Sequence, residues 1–125
     1  MTALVDTSIL AGAVGDLDAI DEPWAVSVIS VGELEAGVLI AKSDSARAER
    51  LARLTAIVAE APVLPVDRHI AGLYGSLRAQ AGRRPHNDLW IAATAIAHQL
   101  VLVSADERQA ALPGVNARLV KSSSR

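Results

Sequence analysis

Residues 87–103 read Asn87-Asp88-Leu89-Trp90-Ile91-Ala92-Ala93-Thr94-Ala95-Ile96-Ala97-His98-Gln99-Leu100-Val101-Leu102-Val103. The part from Asp88 to Gln99 predicts a helix that is apolar nearly all round, and Leu100 to Val103 a short apolar strand directly after it. A helix without a broad polar face is buried against other elements. An apolar strand without polar alternation is covered on both faces, as in parallel sheets. The same alternation runs outward in both directions.

Upstream, residues 3–6 (Ala-Leu-Val-Asp) predict a short buried strand, followed by a helix from Thr7 to Val14. Gly15 to Pro23 is an acidic connection. Ala25 to Ile29 is a second strand, and Ser30 opens a helix to about Ala41. Ser43 or Asp44 caps another helix to about Ala59, with Leu51, Leu54 and Val58 as its apolar stripe and Arg47, Arg50 and Arg53 as a basic ridge. Val63 to Val66 contains Pro65, which places it at a sheet edge. Asp67 caps a helix to about Ala81, and Gly82-Arg83-Arg84-Pro85 is a basic loop. Downstream, Asp106 to Ala111 is a short helix and Ala117 to Val120 a last strand. Lys121 to Arg125 should fray. Alternating strands and helices predict an α/β fold, with a short, mainly parallel sheet flanked by helices on both faces. In such sheets ligands bind beyond the carboxyl ends of the strands.

Length and composition narrow the function. The 125 residues are expected to form one domain, 1–125. Hydrophobic residues make up 51% and are mostly Ala, Leu, Val and Ile; two Trp, one Tyr and no Phe argue against an aromatic base-stacking platform. Net charge is −2, unevenly spread. Residues 1–41 carry seven acids and no Lys or Arg, whereas residues 42–84 carry eight bases against four acids. An acidic site beside a basic face that receives a polyanion would have this asymmetry, and so would an ordinary solvated helix face. The absence of cysteine excludes disulfides and thiolate metal sites. With no basic n-region and no run of membrane-spanning length, a soluble cytoplasmic protein is expected. His69, His86 and His98 lack the i,i+4 spacing of a helical zinc pair and are expected at the surface or in loops.

The candidate site consists of acids. Asp6 and Asp106 follow predicted strands, Glu33 lies in the first turn after one, and Asp88 opens the buried helix. Each also has a purely structural explanation. Asp6 with Thr7 and Ser8 suits a helix cap. Ser30 and Glu33 have the spacing of a capping box, as do Ser104 and Glu107. Asn87 can cap the helix that Asp88 enters, where the dipole favours an acid. Trp90 points away from Asp88 into the core. What favours function is the joint placement of four acids at one rim, because clustered carboxylates repel unless a cation joins them. All-oxygen ligands select Mg²⁺ or Mn²⁺. A metal so held can activate water for attack on a phosphate.

At these residues the chain resembles a PIN-domain ribonuclease of the VapC toxin type. The matching stretches are Leu4-Val5-Asp6-Thr7-Ser8, Ser30-Val31-Gly32-Glu33-Leu34, Asn87 through Ala95, and Leu102-Val103-Ser104-Ala105-Asp106. Their order and spacing match one complete domain of that family, and the family commonly has Thr where this chain has Ser104. The resemblance implies a three-layer PIN-like fold in which Asp6, Glu33, Asp88 and Asp106 bind Mg²⁺ or Mn²⁺, oriented by Thr7, Ser8 and Ser104. It also implies endonucleolytic cleavage of RNA to a 5′-phosphate and a 3′-hydroxyl, homodimerisation, and inhibition by a cognate antitoxin. Arg83 and Arg84, with the Arg47/Arg50/Arg53 ridge, are candidates to hold the RNA backbone.

Two other readings compete. A Mg²⁺-dependent phosphatase-like domain would share the layout, but Asp6-Thr7-Ser8 lacks a second Asp two residues on. A phosphate-binding loop also fails, since Val38-Leu39 follows Gly32 and Gly37 where Lys-Ser/Thr is required. A non-catalytic interaction module would use the acids only as caps. Metal affinity separates that module from either enzyme.

Overall fold

The computed structural model describes residues 1–12, 17 and 20–120. Five strands, β1 (Ala3–Val5), β2 (Trp24–Ser27), β3 (Val63–Leu64), β4 (Val101–Ser104) and β5 (Ala117–Leu119), form one sheet in the order β3-β2-β1-β4-β5. Every pairing is parallel. From β1 the chain first builds outward to β2 and β3, then returns to the other side of β1 for β4 and β5. The crevice at the carboxyl ends of β1 and β4 is therefore the point where the strand order reverses, the usual ligand position in an open α/β sheet.

Side-chain alternation along the strands divides the core. Ala3, Val5, Val26 and Val103 face one layer, where Ile9 and Leu10 of helix α1 (Thr7–Leu10) and Ile57 of α3 (Asp44–Glu60) cover them. Leu4, Ala25 and Leu102 face the other, against Ile91 and Ala95 of α5 (His86–Ala97). Beyond α5 lies α4 (Arg68–Ala81), joined to it through Ile70, Leu77, Leu89 and Ala93. Two further helices, α2 (Val28–Leu39) and α6 (Glu107–Ala110), border the carboxyl end of the sheet. The three-layer α/β arrangement expected from the sequence is the one observed. No described helix is long and apolar enough to cross a membrane.

Boundaries differ from the sequence reading where a cap decides them. The second strand ends at Ser27, whose hydroxyl accepts from the Ile29 N–H and caps α2. Val28 and Ile29, read as strand, are thus the first turn of that helix, because a cap hydroxyl outweighs their β-branched preference. Neither proposed capping box forms, since Ser30 is already inside α2 and Ser104 is still in β4. Helix α5 starts at His86, earlier than read, with Pro85 at its N-cap and no side-chain cap. On α3 the buried pair is Leu54 and Ile57, while Leu51 and Val58 of the expected stripe are exposed. Helix α1 ends at Leu10; residues 13 and 14 of its expected extent, part of the acidic connection and the expected frayed tail lie outside the described residues. Trp90 is part-buried, with its ring stacked on Tyr74 at 3.9 Å between centroids.

Leu102→Ala, in a strand with sheet on both sides and helices above and below, is expected to cost about 2–5 kcal/mol in urea unfolding. Leu39→Ser, at a side chain 76% exposed, should stay within about 0.5 kcal/mol of wild type. Equal losses for both would contradict the core described.

Candidate active site

Asp6 leaves the end of β1 and caps α1, 2% exposed. Its Oδ2 accepts from Ser8 Oγ (2.6 Å), Ser104 Oγ (2.9 Å) and the Ser8 N–H (3.3 Å). These donors lower the cost of a buried carboxylate, and none of them reaches Oδ1. The two serines also tie β1 to the turn after β4, since the Ala105 N–H donates to Ser8 Oγ and the Asp106 N–H to Ser104 Oγ, both at 3.0 Å. Asp106 caps α6 and accepts from the Arg108 N–H at 2.9 Å.

Glu33 is the sixth residue of α2, on the same helical face as Ser30 three residues earlier. Its Oε1 accepts from Thr7 Oγ1 at 2.6 Å. The Thr7 proton being committed there, Ser30 Oγ donates to Thr7 Oγ1 at 2.7 Å. The other oxygen, Oε2, accepts from Asn87 Nδ2 at 3.1 Å. The capping-box explanation for Glu33 is therefore removed, and both its oxygens are held toward α1 and α5. Thr7 orients Glu33, not Asp6.

Asp88 stands in the first turn of α5 with no hydrogen bond to its carboxylate among the described residues. Its carboxyl is pushed up to about 6 from 3.8, first by burial and then by repulsion from Asp6, Asp106 and Glu33, with Arg108 opposing. The helix dipole favours an anion at this position, so burial and repulsion prevail over it. Asp6, Glu33 and Asp106 thus all lie close enough to Asp88 to oppose its charge. As the side chains stand, no group of three acids or histidines among the described residues converges to hold an ion.

Sequence reasoning missed three supporting residues. Asn87, read as a cap, is instead the link from α5 to Glu33. Gln109 is buried, and its Nε2 donates to the Asp88 carbonyl at 3.2 Å, fixing α6 against the start of α5. Arg53 donates to the carbonyls of Ile9 and Leu10, closing the C-terminal end of the helix that carries Thr7 and Ser8. The expected basic ridge is thus not an open row. Arg47 reaches the Ala41 carbonyl and Arg50 the Gly37 carbonyl. Arg83 and Arg84, beside Gly82 at φ +66°, make no side-chain hydrogen bond or ion pair among the described residues. His69, His86 and His98 are exposed, as expected.

The PIN domain profile matches residues 3–115. The chain is 40% identical to ribonuclease VapC5 of Mycobacterium tuberculosis over 119 residues, covering 89% of this chain and 87% of that protein. Ribonuclease VapC4 of the same organism is 39% identical over 121 residues, with 90% and 92% covered. The crystal structure of VapBC-5 from Mycobacterium tuberculosis, a member of the VapBC family of toxin–antitoxin systems, matches at a TM-score of 0.80 and 37% identity, over 97% of this chain and 98% of that one. VapBC2 from Rickettsia felis, at 21% identity and a TM-score of 0.82 over 97% and 100%, shares the fold. The chain belongs to the PIN-domain family and, within it, to the VapC type.

The raised Asp88 carboxyl has a consequence for stability. Between about pH 4 and 6 the metal-free folded protein holds a proton on Asp88 that the unfolded chain has released, so this group's contribution to stability falls as pH rises through that window. Asp88→Asn should therefore raise the melting temperature of metal-free protein above pH 6, with the gain shrinking toward pH 4. Thermal unfolding in chelator across pH 4–8 measures it, and a difference independent of pH would contradict the repulsion.

Proposed function

We propose that this chain is a Mg²⁺- or Mn²⁺-dependent endoribonuclease, the toxin of a toxin–antitoxin pair. The observation that carries the reading is the nearness of Asp6, Glu33 and Asp106 to Asp88 at the strand-reversal crevice, where the Asp88 carboxylate has no hydrogen bond among the described residues. Residues 1–125 act as one domain. Support comes from the family, from relatives named ribonucleases, and from a solved relative described as a member of the VapBC family of toxin–antitoxin systems. A divalent cation fits the donor set, which is all oxygen and carries surplus negative charge.

In this reading Asp6, Asp88 and Asp106 would hold the ion directly. Bound there, Mg²⁺ or Mn²⁺ would supply a water of lowered pKa and offset charge on the scissile phosphate. Glu33, with Thr7 and Asn87 fixing its two oxygens, is placed to bind through water or to take the proton of the attacking water. Ser8 and Ser104 hold Asp6 in its orientation through their hydroxyls. Arg83 and Arg84 draw the RNA backbone to the rim, so binding weakens with salt. A cognate antitoxin that occupies the site, a homodimeric assembly and a cytoplasmic location complete the proposal.

The test pairs metal binding with cleavage. Mn²⁺ titration followed by EPR should show saturable binding that Asp6→Asn and Asp88→Asn lose. Cleavage of RNA by Asp88→Asn should fall by far more than the roughly 10–100-fold that losing an outer-shell partner costs, while the fold is retained. No binding up to millimolar metal would make the acids structural caps and favour a non-catalytic interaction module. Hydrolysis of small phosphate esters with no cleavage of RNA would favour the phosphatase-like alternative.

A further inference from the structure

Beside the four acids, a cleft of about 240 Å³ opens between α1, α2 and α3. Thr7 and Glu33 belong to both the acidic site and this cleft, so the two are continuous. Leu34 and Gly37 line its α2 side, and Arg50 and Arg53 come from α3. A Cβ on Gly37 would meet nothing within 4 Å. Close packing therefore does not require glycine there, although glycine is a poor helix residue. What its missing side chain leaves is open space in the cleft.

Arg53 is turned inward onto the carbonyls of α1, but Arg50 is exposed. Arg50 spends one N–H on the Gly37 carbonyl, at 2.6 Å, which sets its guanidinium at the glycine side of the cleft. The remaining donors of that guanidinium have no partner among the described residues. The cleft thus offers an apolar wall, a cationic plane and a mouth on the acidic site. The enclosed space is on the scale of one heterocyclic ring system. Unstacked RNA bases are held on aromatic rings or on guanidinium planes. Neither Trp nor the single Tyr lines this cleft, which leaves the guanidinium.

We propose that the cleft receives one unstacked base of single-stranded RNA next to the cleaved bond, with the Arg50 guanidinium as its stacking plane. This rests on the ribonuclease reading and makes the cleft a determinant of which bond is cut. Phosphates of the strand are drawn by the arginines, while the sugar–phosphate of the bound nucleotide passes Thr7 and Glu33 toward the acids.

The experiment is cleavage of a randomised single-stranded RNA pool with Mn²⁺ by wild type, Gly37→Leu, Arg50→Ala and Arg50→Lys, with product ends sequenced. Mn²⁺ affinity and melting temperature are measured alongside. Wild type should show a base preference at one position beside the cut. Gly37→Leu, which fills the cleft, and Arg50→Ala should each flatten that preference and raise KM about 10-fold, within what one base stack carries. Mn²⁺ affinity should not change. Arg50→Lys should not restore the preference, because an ammonium has no stacking plane; full rescue by lysine would overturn the stacking role. Unchanged preference in folded Gly37→Leu and Arg50→Ala would overturn the cleft while leaving the ribonuclease reading intact. Loss of antitoxin binding with cleavage unaltered would give the cleft to the protein partner and likewise overturn it. Wild-type protein that binds Mn²⁺ but cuts nothing in the pool would sink the ribonuclease reading, and this proposal with it.

Discussion

Repulsion among four carboxylates at one end of a parallel sheet is the constraint around which the local structure is arranged. Burial and three neighbouring acids hold a proton on Asp88 to about pH 6. A protein tolerates such a cluster only if each member is anchored or if a cation offsets the charge. Here the anchoring is divided. Asp6 and Asp106 cap helices α1 and α6, and Glu33 is bound at both oxygens. Of the four, only the Asp88 carboxylate has no hydrogen bond among the described residues, so the electrostatic cost is concentrated on one group.

The anchors come from different elements, and that gives the site its rigidity. Ser8 and Ser104 hold β1 and β4 at their shared carboxyl end. The Ser30–Thr7–Glu33 chain joins α2 to α1, and Asn87 joins α2 to α5. Gln109 joins α6 to α5 from beneath. No buried side-chain polar atom among the described residues lacks a partner, so the network is closed except where solvent or a ligand can reach it.

Much of the fold was legible because its signals are local. Apolar runs at residues 3–5 and 101–103 marked strands buried on both faces, and the all-round apolar helix marked the layer that covers them. Pro65 identified the edge strand. The errors lay at boundaries. Val28 and Ile29 carry strand propensity, yet the Ser27 hydroxyl takes the N-cap and turns them into helix. On α3 Leu54 is buried as expected, but its partner in the core is Ile57 and not Leu51 or Val58, a choice that depends on how the helix is rotated against its neighbours.

By itself, the sequence determined the order of elements and the parallel class of the sheet, and it set Asp6 and Asp106 just after strands and Asp88 in the first turn of a buried helix. Each follows from short-range periodicity and from which residue succeeds a strand. Only the tertiary structure decided what those acids do locally. Whether Glu33 caps its own helix or is held by Thr7 and Asn87 depends on residues 26 and 54 positions away. Likewise, Ser104 reaches Asp6 across 98 positions. Arginines spaced by three look like an outward ridge, but α3 packs so that Arg53 closes α1 and Arg50 borders a cleft. Such pairings are set by how helices seat on the sheet, and hydrogen-bond partners distant in sequence leave no periodic trace along the chain.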